Sequence, residues 1–398
     1  MLVPTIRFPD FTGEYEERPL SDFLSENKEK NRQNLYTKED VKSVSGDFGV
    51  VNQIEFFGKS MAGADVSNYH VVHHNNVVYT KSPLKANPYG IIKCNTGTDG
   101  IVSTLYAVYY CNDDVVPEYV DYYFGYDKRV NKYLLPLVNI GAKHDMKVNN
   151  QDAISGSVYF PSIDEQKKVV EALNAYDERV RNQLSVIEAL ETRRKGLLQQ
   201  IFSQEIRFKA DDGSEFPDWE SHAMGEFFTE RKEKAQGGEE LLSVTIANGV
   251  IRQADSDKRD NSSEDKSNYK RVMTGDMAYN TMRMWQGAEG VSYWDGIVSP
   301  AYTIIVPEDG VNAEFFMVLF KTYEALKQFT IYSQGMTSDQ WNLKFDIFAD
   351  LEFDVPCSEE QAKIVAFFKL LDKQIQIEKD KLDAIKQVKK GLLQQMFV

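Results

Sequence analysis

Two long stretches of the chain carry apolar residues at steps of three and four. In the first these are Val169, Leu173, Tyr176, Val180, Leu184, Ile187, Leu190, Leu197 and Ile201. In the second they are Ile364, Phe368, Leu371, Ile375, Leu382, Ile385, Val388, Leu392 and Met396. Such spacing is the heptad-like seam of a helix that pairs with another helix. Each stretch opens on proline and acid (Pro161, Asp164, Glu165; Pro356, Glu359, Glu360), which suits a helix N-terminus. At ~1.5 Å per residue each helix spans about 60 Å. Gly196 and Gly391 interrupt the seams, as close packing or a bend requires. Elsewhere the pattern is short and β-rich, in runs such as VVY, IIKC, TIIVP and LEFDVP broken by turns. Helical stretches are predicted at 117–126 and 312–332.

The two long stretches are copies of each other. Aligned without gaps, 161–202 and 356–397 share Pro161, Glu165, Gln166, Lys168, Val170, Asp177, Ala189, Lys195, the block Gly196 to Gln200, and Phe202. Two matching seams in one chain are expected to pair. Val169, Leu173, Val180, Leu184, Ile187 and Leu190 then face Ile364, Phe368, Leu371, Ile375, Leu382 and Ile385. The intervening segments echo each other as well. RFPDFTGEYEERPLSDF at 7–23 resembles RFKADDGSEFPDWESHAMGEF at 207–227, and ENKEK at 26–30 resembles ERKEK at 230–234. YHVVHHNNVVY at 69–79 resembles YKRVMTGDMAY at 269–279, and GIVSTLY at 100–106 resembles GIVSPAY at 296–302.

The order is therefore globule (1–160), helix (161–203), globule (204–355), helix (356–398). The second globule joins the end of one helix to the start of the other. By the repeat, the first globule does the same, and both joins close only if the helices run antiparallel. The expected class is α+β: two pseudo-symmetric mixed α/β globules joined by two long antiparallel helices in a coiled-coil-like rod.

Composition narrows the function. No apolar run is long enough to cross a membrane, and the N-terminus lacks a basic-then-apolar leader. Cys94, Cys111 and Cys357 form no CxxC pair, which fits a reducing cytoplasm. The formal charge is −15. Segment 203–355 accounts for most of it, with 15 basic against 28 acidic residues. Strong unspecific binding of nucleic acid by the isolated chain is thereby disfavoured, though a basic surface supplied by a partner is not.

Intrinsic chemistry is thinly represented. Asn87-Pro88-Tyr89 lacks the second proline of an adenine-methyltransferase motif, and no strand–GxG–helix turn is present. Pro9-Asp10 with Glu26-Asn27-Lys28, and Pro217-Asp218 with Glu230-Arg231-Lys232, have the look of a nuclease PD…ExK set. Their ExK parts, however, fall in charged sequence rather than in evident strands. His70 and His73 point to opposite faces of an extended run, which speaks against a shared metal.

The Arg-Phe opening, the GIVS block, the Pro-x-x-x-Glu-Gln helix start and the Lys-Gly-Leu-Leu-Gln-Gln helix end, each present twice, resemble the specificity subunit of type I restriction–modification systems. The resemblance spans the whole chain. It implies a non-catalytic protein in which each globule is a target recognition domain reading half of a bipartite double-stranded DNA sequence. The helices then set the spacing and dock two methyltransferase subunits. Adenine N6 methylation with S-adenosylmethionine, and ATP- and Mg²⁺-dependent cleavage by restriction subunits, belong to those partners. The contrasting reading is a coiled-coil scaffold whose globules bind proteins.

Base-reading candidates are polar, basic and aromatic loop residues. In the first globule these are Lys81, Lys85, Asn87, Tyr89, Lys143 and Lys147. In the second they are Asn280, Arg283, Trp285, Gln286, Gln334, Ser338 and Gln340. Arginine can pair with guanine, and Asn or Gln with adenine, in the major groove; Lys and Ser more often hold phosphate.

Overall fold

A computed structural model describes residues 3–84, 86–140, 146–256, 259–337 and 340–398, with backbone only at 139–140 and 146–147. The chain divides into two compact units, residues 1–184 with 380–398, and residues 185–379. The long helices, Ile163–Phe202 and Ser358–Gln395, each run from one unit into the other. Among the described residues no helix is long and apolar enough to cross a membrane.

In the first unit an antiparallel sheet has the strand order Leu24–Glu26, Tyr106–Cys111, Val77–Thr80, Ile92–Cys94. Glu16–Pro19 pairs with Ser157–Phe160, Lys42–Ser45 with Gly49–Asn52, and His70–Val72 with Gly100–Val102. The second unit repeats every one of these pairings. Its sheet runs Phe228–Glu230, Tyr302–Pro307, Met277–Asn280, Glu289–Val291. Its ribbons join Glu220–Ala223 to Glu352–Val355, Leu242–Thr245 to Gly249–Arg252, and Lys270–Val272 to Gly296–Val298. The inner strands are apolar runs because both faces are covered: Ala107, Val108 and Tyr109, like Ile304 and Ile305, are fully buried.

The GIVS block has a steric origin. A Cβ on Gly100 would lie 2.6 Å from the carbonyl oxygen of Asp40, and one on Gly296 would lie 2.5 Å from that of Glu240. The backbones meet there, and Ile297 N donates to Glu240 O at 2.8 Å. Only glycine permits this approach.

The other recurring motifs form one lock per unit. Arg7 donates from Nε and Nη2 to Glu165 Oε1 and Oε2 at 2.7 and 2.8 Å, and Tyr15 OH donates to Oε1 at 2.8 Å. In the second unit Arg207 donates to Glu360 at 3.3 and 2.8 Å, and Trp219 Nε1 adds a bond of 3.0 Å. Gln166 Nε2 donates to Pro161 O at 3.0 Å and Gln361 Nε2 to Pro356 O at 2.9 Å, closing each helix start on itself. The Arg-Phe opening and the Pro-x-x-x-Glu-Gln start thus recur together because each needs the other.

Each unit also pairs the start of one helix with the end of the other. In the first, Lys389 binds Asp177; in the second, Arg194 binds Asp372 at 2.5 Å and Lys379 binds Glu191 at 2.7 Å. In the second unit, where 191 meets 379 and 194 meets 372, the order of these partners makes the helix pairing antiparallel. Leu198, Ile201 and Phe202 enter the second unit's core, where Phe202 meets Trp219, and Met396 and Phe397 enter the first, where Arg129 lies over Phe397.

Several expectations need correction. Of the seam residues, Val169, Leu173, Ile187, Ile364, Phe368, Ile375 and Leu382 are buried, and Val180, Leu190, Leu371 and Ile385 are half-buried. Leu184 is 44% exposed. It lies at the boundary of the two units. Gly196 marks no close approach, since a Cβ there would meet nothing, and the helix continues through it. The stretch 312–332 is two helices, Ala313–Leu319 and Tyr323–Tyr332, because the Thr322 side chain caps the second by accepting from Ala325 N at 3.2 Å. Glu26 and Glu230 do end strands, contrary to the sequence pattern, but they serve as anchors. Glu26 accepts from Asn150 at 2.6 Å and Gln151 at 3.2 Å, and Glu230 lies near Lys232 and Lys270.

Candidate nucleic-acid interface

In the second unit, strand Met277–Asn280 leads into a loop that presents Asn280, Arg283 and Gln286. These three line a cleft of about 630 Å³ opposite Ser243, Thr245 and Asn248 of the neighbouring hairpin, with Tyr302. The hairpin supplies polar groups because Leu242 and Val244 alternate inward, leaving Ser243 and Thr245 on the cleft side. The loop is built firmly. Asn280 Oδ1 accepts from Met282 N at 3.0 Å, and Trp285 Nε1 donates to Met282 O at 3.1 Å. Trp285 packs edge-on against Trp341, ring centroids 5.2 Å apart. The two tryptophans are half-buried and tie the loop to the segment that carries Gln334 and Gln340. Both glutamines are exposed, and Gln334 is bridged to Asn342 by backbone bonds of 3.0 and 2.9 Å.

The first unit treats its candidates differently. Asn87 is buried and donates from Nδ2 to Asp127 Oδ1 at 2.9 Å, so it fixes its own loop. Tyr89 is half-buried against the core, and its carbonyl accepts from Tyr79 OH at 2.8 Å. Asn87 is buried with its Nδ2 held by a carboxylate and its Oδ1 without a partner among the described residues, and Tyr89 packs on the core, so both are reassigned to loop structure. Lys81 is half-buried, and burial lowers its ammonium pKa despite the attraction of Glu26. Lys85, Lys143 and Ser338 lie outside the described residues, and Lys147 is described by its backbone alone, paired with Asn139.

The cleft residues Ser243, Thr245 and Asn248 were not among the sequence candidates. The signal was available: SVSGDFGVV at 43–51 and SVTIANGVI at 243–251 are a further pair of echoes. His73 bridges Asp99 at 2.7 Å and Glu29 at 2.9 Å, contacts that raise its pKa and tie loops together. Among the described residues no three His, Cys, Asp or Glu side chains converge as a metal site.

One buried group behind the cleft titrates unusually. Glu289, 1% exposed, follows the Gly287 turn, and burial pushes its carboxyl up to about 7 against the pull of Lys321. Lys321 Nζ lies 2.9 Å from Oε1 but without an aligned hydrogen bond; its bonds go to the carbonyls of Gly287, Glu289 and Ile246. In the unfolded chain this carboxyl titrates near 4.5. Between those values the folded state holds the extra proton. Stability therefore falls as pH rises from about 4.5 to 7, by about 3 kcal/mol in all, and levels off above. Glu289→Gln is expected to flatten this slope in urea unfolding measured at pH 5 and pH 8; an unchanged slope would assign it to other groups.

Chemically, the cleft gathers amides, hydroxyls, one guanidinium and the carboxylate of Asp255, a mix of donors and acceptors suited to reading hydrogen-bond edges. Residues 254–387 match the family model described as "Type I restriction modification DNA specificity domain". The fold is similar to the crystal structure of the type I restriction–modification system S subunit from M. genitalium. That match has a TM-score of 0.53 at 12% identity and covers 100% of this chain and 99% of that one. It is also similar to a chain from work on complex assembly and conformational transition of the type I R-M system, with a TM-score of 0.57 at 14% identity. Here 97% of this chain and 98% of that one are covered.

Proposed function

We propose, from the premise that residues 254–387 belong to the family of type I restriction modification DNA specificity domains, that this chain is the non-catalytic specificity subunit of such a complex. Each unit reads one half of a bipartite double-stranded DNA target. The observation that carries this reading is a division of labour inside each unit. Recurring residues (Arg7 with Glu165, Arg207 with Glu360, Gly100 and Gly296) build the same frame twice. The loops set on that frame, 79–90 and 279–287, differ. One scaffold holding two different readers is what a split target demands.

A second set of recurring residues is exposed: Lys195 and Gln199 in the first helix, Lys390 and Gln394 in the second. Core packing does not explain identity at exposed positions. Two equivalent docking sites for two copies of one partner do, and the methyltransferase subunit is that partner. It brings S-adenosylmethionine and the N6-methylating chemistry; a restriction subunit brings ATP- and Mg²⁺-dependent cleavage. The partners also supply phosphate contacts that a chain of charge −15 lacks.

Arg283→Ala in the assembled complex is expected to cost about 1–3 kcal/mol of discrimination at one base pair of one half-site. Competition binding with singly substituted duplexes measures this. Equal weakening on every sequence would make Arg283 a phosphate contact. Absence of salt-sensitive, sequence-specific binding by the complex would leave a protein-binding scaffold.

A further inference from the structure

We infer that Met336 is a specificity-determining contact to the 5-methyl group of a thymine in the half-site read by residues 185–379; this rests on the reading above. Met336 is 95% exposed, more than any other large apolar side chain among the described residues. An exposed apolar residue on a loose loop would carry no message, but the residues on either side of Met336 are held. Gln334 and Asn342 exchange backbone bonds of 3.0 and 2.9 Å, and Gln340 N donates to Thr337 O at 2.9 Å. Gly335, at φ +150°, turns so tightly that a Cβ would lie 2.6 Å from Gln340 O. The loop is fastened to the reading loop by Leu343 N donating to Thr281 O at 2.9 Å and by the Trp285–Trp341 pair. The loop that carries Met336 is thus fastened to the loop that carries Arg283 and Gln286.

Its neighbours there are polar and read donors and acceptors. The thymine methyl is the one apolar feature of the major-groove code, and hydrogen-bonding side chains cannot register it. A long, polarizable thioether, adaptable in shape, suits it.

The test uses the chain assembled with its methyltransferase partner and duplexes in which each thymine of that half-site is replaced singly by deoxyuridine. One replacement is expected to weaken wild-type binding by about fourfold, the worth of one buried methyl. Met336→Ala is expected to bind the thymine duplex at least that much more weakly and to lose the distinction between thymine and uracil. The variant's fold is not at issue, since the side chain is almost wholly in solvent. The inference is overturned if no replacement affects the wild type, or if the variant keeps the full distinction. It is equally overturned if the variant weakens all duplexes alike or instead loses the methyltransferase subunit; the latter would assign Met336, with exposed Ile331 and Tyr332, to a protein interface. Failure of the wild-type complex to bind DNA at all would instead sink the functional reading and this inference with it.

Discussion

Replacing Arg207 by alanine is expected to destabilise the unit 185–379 by about 3–5 kcal/mol. Glu360 is fully buried at the start of the second helix. It accepts two bonds from Arg207 and one from Trp219. Without the guanidinium, a carboxylate remains in the interior with an indole N–H and no countercharge, and its desolvation is no longer offset. Arg207→Lys is expected to recover little, because an ammonium cannot make the two-pronged contact. Removing both charges, as Arg207→Met with Glu360→Leu, should cost much less than the single change. The chain's four tryptophans, Trp219, Trp285, Trp294 and Trp341, all lie in this unit, so the fluorescence midpoint in urea reports it directly. A shift below about 1 kcal/mol for Arg207→Ala would show that the lock is ornamental.

Inserting four residues into both long helices, after Leu184 and after Lys379, is expected to change the target itself. Both helices continue from one unit into the other, and both points fall at the unit boundary. Four residues are close to one helical turn and add ~6 Å of rise. If the helices set the distance between the readers, the gap between half-sites grows by about one or two base pairs at ~3.4 Å each. The half-sites themselves should stay the same. An unchanged gap with retained activity would show that something other than helix length sets the spacing.

The frame was legible in the sequence because the residues that build it occur twice. Repetition exposed the helix seams, the openings at Arg7 and Arg207, and the glycines at 100 and 296 before any contact was known. What repetition could not give is the reason for each motif. That Arg7 and Glu165, 158 positions apart, are joined by two bonds became visible only in the fold. The loops were hardest to read. Asn87 has the composition of a base reader, yet Asp127 captures it, a tertiary contact that no local pattern signals. Leu184 fits the apolar spacing but is left exposed at the boundary of the two units. Glu289 looks like any surface acid until the Gly287 turn carries it inward. The partly hidden signal was the hairpin at 243–251, whose alternation already set polar residues on one side.

The most direct measurement is a map of N6-methyladenine across the genome of a methylation-free host that expresses this chain with its methyltransferase partner. A single split motif is expected, two short defined halves around a gap of fixed length and unspecified sequence. Methylation at one continuous motif, or none despite a stable complex, would contradict the account of two readers on one repeated frame.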